Sequence, residues 1–183
     1  MDNCVIKFRN LLQTVVNTYF PDAEVEYCYK CDMRTFMITE VGFIVNGFVV
    51  YDPDGNLYVI SKQSTTLHNN RDFKEQFFIK MLEVDVDFVA YLFMLNIEQS
   101  LASDYGGIIR SINILSNMLY DKKPYKYKLF RKTIIKLFEY GNNKFTTQAL
   151  DYLFNSYKDN PDIISEILDI KNELQISNQV DDL

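Results

Sequence analysis

The sequence predicts an α+β fold: an N-terminal helix on a four-stranded antiparallel β-meander, followed by a C-terminal bundle of five to six helices. Three observations predict it. Up to about Lys62 the apolar residues recur at every second position between turn signals, the period of a half-buried strand. Beyond Asn69 they recur at three and four, the period of a helix. Gly and Pro number only six and four, so a single domain is expected over 1–183. Within it, 1–67 would form the helix-and-meander layer, 68–176 the helical bundle, and 177–183 a frayed polar tail.

Each element has its own justification. Val5, Phe8, Leu12, Val15 and Tyr19, with Leu11 and Val16 beside them, make one helical stripe that stops before Pro21. Val25, Tyr27, Tyr29 and Cys31 then alternate with Glu24, Glu26, Cys28 and Lys30, a strand pattern. A second strand is expected from Thr35 to Val45. Asn46-Gly47 suits the centre of a two-residue type I′ turn, where both residues need positive φ. Phe48 to Tyr51 returns, Asp52-Pro53-Asp54-Gly55 turns again, and Leu57 to Ser61 forms the last strand.

In the second half, Phe73, Phe77 and Met81 share a helical face, with Asn69 or Asn70 as cap. Phe88 to Leu95 is apolar nearly all round and reads as a buried helix. Ser103 or Asp104 is expected to cap a helix with Ile108, Ile112, Leu115 and Leu119 inward. Pro124 opens the next helix and Gly141 suits its C′ position. Thr146 or Thr147 would start another, with Leu150, Leu153, Phe154 and Tyr157 inward. Asn160-Pro161 leads a last helix through Ile163, Ile167, Ile170 and Leu174.

Hydrophobic residues at 48% and charged residues at 24% are those of a globular protein. The N-terminus MDNCVIKFRN lacks the basic start and unbroken apolar run of an export signal. The longest apolar run, Phe88 to Leu95, is far short of the roughly 20 residues that span a bilayer. A cytoplasmic protein without a membrane partner is expected, and three cysteines then suggest thiols rather than a disulfide framework. Heavy use of Asn, Lys, Ile, Tyr and Asp fits an AT-rich gene, as in low-GC bacteria, phages and many viruses.

Charge is the strongest functional signal. Lys122, Lys123, Lys126, Lys128, Arg131, Lys132 and Lys136 are seven cations with no acid among them, in a chain of net charge −6. Tyr125 and Tyr127 flank them, and basic side chains beside aromatics suit phosphate contact and base stacking. The opposing pattern is Asp162, Glu166, Asp169 and Glu173, at i, i+4, i+7 and i+11 down the last helix. Glu83, Asp85 and Asp87 form a second acidic cluster. The two stripes could pair within one bundle or across a homodimer, and an acidic face can dock a basic partner.

Other constellations carry less. Cys28 and Cys31 have zinc-knuckle spacing, and Cys4 and His68 would complete four ligands. A strand there would send Cys28 and Cys31 to opposite faces, so neither metal nor cofactor is expected. Asp52, Asp54 and Asn56 are spaced like the start of a calcium loop, but Leu57 and Gln63 stand where Gly and Glu are needed. Gly106-Gly107 could offer helix amides to an anion, yet close helix packing explains it as well. His68 has no evident nucleophile and carboxylate partners.

The expected function is therefore a non-catalytic acidic protein that binds a macromolecular partner stoichiometrically, for instance a viral, phage or mobile-element inhibitor of a host or defence factor. A nucleic-acid accessory protein using 122–136 is the first alternative, and an enzyme of unrecognised type the second.

Overall fold

The computed structural model describes residues 3–19, 21, 23–30, 44–46, 49–51, 56–60, 71–103 and 106–176. The elements are α1 (Asn3–Tyr19), β1 (Val25–Lys30), β2 (Ile44–Asn46), β3 (Val49–Tyr51), β4 (Asn56–Ile60), α2 (Arg71–Leu101), α3 (Gly107–Tyr120), α4 (Pro124–Glu139), α5 (Asn143–Ser156) and α6 (Pro161–Glu173). The α+β expectation is corrected by this inventory. Six helices account for most of the described residues, and the strands are short, from three to six residues.

The meander is corrected as well. Strand order is β1-β4-β3-β2, so β1 lies beside the last strand instead of the second. The physical reason is the length of the connection between Lys30 and Ile44. A two-residue hairpin compels its strands to be neighbours, whereas a wider separation along the sequence leaves the first strand to choose another edge. Asn46 pairs with Val49 as the last residue of β2, so it belongs to the ladder rather than to the centre of a turn, and Gly47 lies outside the described residues. The second turn, 52–55, and the expected strand residues 35–43 lie outside the described residues. Strand β1 also breaks its alternation: Tyr27 faces Tyr58 but Tyr29 faces Leu57, so Cys28 is the extra residue of a bulge.

Contacts divide the chain into two compact units, Met1–Leu92 and Phe93–Leu183. In the first, α1 buries Val5, Phe8, Leu11, Leu12, Val15 and Val16 of the expected stripe, while Tyr19 at its end is half-buried. Burying each such side chain is worth about 1.5–3 kcal/mol. Polar clamps fix α1 to β1. Gln13 donates to the Ala23 carbonyl and accepts from the Val25 amide, while Arg9 donates to the Val25 carbonyl. The helix also meets the start of α2, through Tyr19 stacked on Phe77 at 6.1 Å and Lys7 over the Phe88 ring at 4.6 Å.

Helix α2 joins the two expected helical segments across a break at Asp85, whose φ and ψ are −157° and 77°. Asp85 Oδ1 accepts the Phe88 amide at 3.0 Å. This is the N-cap bond that satisfies an otherwise orphaned donor at a helix start. The second helical stretch thus begins at a capping residue, where the charge pattern alone suggests a surface acidic cluster.

In the second unit, α3 differs from expectation. Its N-cap is Gly106, at φ 65°, rather than Ser103 or Asp104. Its buried face is Gly107, Ser111, Ile114, Leu115, Met118 and Leu119, and Ile108 is exposed. Gly107 sets that rotation, because a Cβ there would stand 1.7 Å from the Ser100 carbonyl oxygen of α2. The backbones meet where only hydrogen fits.

Helix α4 ends as expected at Gly141, with φ 93°. The Gly141 amide bonds to the Phe138 carbonyl and the Asn142 amide to the Leu137 carbonyl, the two bonds of a Schellman cap. Helix α5 begins at Asn143, ahead of the expected Thr146, which is buried and donates to the Asn142 carbonyl. Helix α6 follows Asn160 with Pro161 in its first turn and buries Ile163, Ile167 and Ile170. The expected tail 177–183 lies outside the described residues.

Candidate functional site

The geometry of the charged stripes follows from how α4 and α6 bury their apolar faces. Helix α4 turns Leu129, Phe130, Thr133, Ile134 and Leu137 inward, which leaves Arg131 at the margin. Helix α6 turns Ile163, Ile167 and Ile170 inward, which puts Asp162, Asp169 and Glu173 in solvent and Glu166 half-buried. The two margins meet at Arg131. Its guanidinium lies 3.8 Å from Glu166, 3.8 Å from Asp169 and 3.5 Å from Glu173.

Three carboxylates thus share one cation. The distances exceed the 2.7–2.9 Å of a tight charge-assisted bond. Arg131 is 35% exposed and Asp169 63%, so each pair is worth about 0–1 kcal/mol. The arrangement stabilises the protein little. Its consequence is electrostatic: three anionic side chains are gathered around one guanidinium.

Tyr127, one turn before Arg131 on α4, borders the same stripe. Its hydroxyl is buried and has no hydrogen-bond partner among the described residues. Burial pushes the phenol above its ordinary 10.0, and the charges of Asp162, Glu166 and Asp121 and the nearby Tyr157 push it the same way. Tyr157 itself exchanges a 2.7 Å hydrogen bond with the Ser116 hydroxyl.

The other basic candidates occupy different settings along the same stretch. Lys122 sits at φ 55° just after α3, and Lys123 precedes Pro124 as the N-cap of α4. Lys126 is paired with Asp121 at 2.6 Å. Lys128 is exposed, and Lys132 and Lys136 are half-buried on α4. In the second acidic cluster, Glu83 pairs with Lys80 at 3.5 Å, Asp85 serves as the helix cap, and Asp87 is exposed.

Of the weak zinc set, Cys4 lies on α1 and Cys28 at the bulge of β1. Cys31 and His68 lie outside the described residues. Among the described residues, no three His, Cys, Asp or Glu side chains are grouped to hold a metal ion. No described helix is long and apolar enough to cross a membrane.

One ionic feature goes beyond the two charged stripes. Lys171, 4% exposed, is salt-bridged to Asp151 of α5, and its ammonium lies 5.6 Å from the Phe154 ring centre. Its signal is present in the sequence, though the stripes do not include it. Lys171 stands four residues after Ile167 and eight after Ile163, on the apolar face of α6, where a lysine must find a partner or stay in water.

No family model matches this chain, and no curated protein or solved structure matches it either.

Proposed function

We propose that this chain is a non-catalytic binding protein that acts stoichiometrically on a basic macromolecular partner through the acidic face of α6. The carrying observation is the three-to-one ratio of carboxylates to guanidinium at Arg131. Asp162 extends the same face by one turn and is exposed. Carboxylates held on a rigid helix need little ordering when a cationic surface docks, and charge complementarity then selects the partner and its register. Residue usage typical of AT-rich genes adds the setting: a viral, phage or mobile-element antagonist of a host or defence factor.

The test compares the protein with a variant carrying Asp162→Lys, Glu166→Lys and Asp169→Lys. Both are titrated with an arginine-rich peptide and, separately, with a single-stranded oligonucleotide, after circular dichroism establishes equal helicity. Peptide binding by the parent, lost in this variant but kept in Glu83→Lys/Asp87→Lys, is the expected result. Peptide binding unchanged by the α6 reversals, or absent from the parent, overturns the proposal. Oligonucleotide binding that disappears in Lys128→Glu/Lys132→Glu would replace it with the nucleic-acid reading.

A further inference from the structure

We draw no further inference here: the strongest candidate, the carboxylate cluster of Glu166, Asp169 and Glu173 around Arg131 between α4 and α6, belongs to the acidic face already proposed as the binding site, and nothing beyond the cluster itself points to a particular ligand.

Discussion

Gly107 and its neighbour Gly106 test different physics at adjacent residues. A methyl group at Gly107 would collide with backbone, at 1.7 Å from the Ser100 oxygen, while the left-handed Gly106 has open space around it. Gly107→Ala is therefore expected to cost about 2 kcal/mol or more through overpacking. Gly106→Ala should cost only the conformational penalty, about 1–2 kcal/mol. Urea unfolding midpoints give the comparison, and equal losses would show that the helices separate freely at this contact. Tyr127 makes the second case. Its phenol titrates above 10.0 in the folded protein, so the unfolded chain releases that proton first as the pH rises. The unfolded state then binds fewer protons, and stability falls with pH above about 10. Tyr127→Phe should flatten this part of the profile. At neutral pH it should be neutral or slightly stabilising, because the buried hydroxyl has no partner among the described residues to lose. A loss above about 1.5 kcal/mol there would mean that the hydroxyl is bonded after all.

At the scale of elements, α6 is seated by three isoleucines and one buried charge. The Lys171–Asp151 pair ties it to α5, with side chains only 5% and 18% exposed. Removing one partner leaves a charge without compensation in a poor solvent. Asp151→Ala is thus expected to destabilise by about 3–5 kcal/mol. Adding Lys171→Met to it should recover most of that loss, since the double variant buries no charge. Thermal denaturation of the two single variants and the double one measures the coupling, and strict additivity would show that the pair does not seat the helix. Arg131 behaves differently on the opposite margin of α6. Its contacts are longer and wetter, so they position side chains without holding elements together.

For the whole molecule, the net charge of −6 conceals a separation. Seven cations fall between Lys122 and Lys136, which leaves −13 for the remainder. A field of that sign attracts cationic partners at long range and repels nucleic acid. The association rate with an arginine-rich peptide should therefore drop severalfold as salt shortens the Debye length below about 10 Å, with a smaller change in the dissociation rate. A salt-independent association rate would remove steering from the proposed function.

Local chain chemistry determined much of what is seen. The stripe of α1 is read directly from side-chain spacing, as are Pro124 at the head of α4, Gly141 at its end and Asn160-Pro161 at the head of α6. Each depends on backbone dihedrals and side chains within one or two turns. The acidic stripe of α6 was legible for the same reason. Tertiary structure alone decided the rest. Alternation says which face of a strand is apolar but not which strand lies beside it, and so β1 pairs with β4. Helical periodicity allowed Ile108 to be core, whereas the Gly107 contact with α2 rotates it outward. The same periodicity could not show that Lys171 finds Asp151, or that Arg131 meets Glu166, Asp169 and Glu173. Those outcomes depend on distances between elements far apart in the chain, which spacing along one helix does not encode.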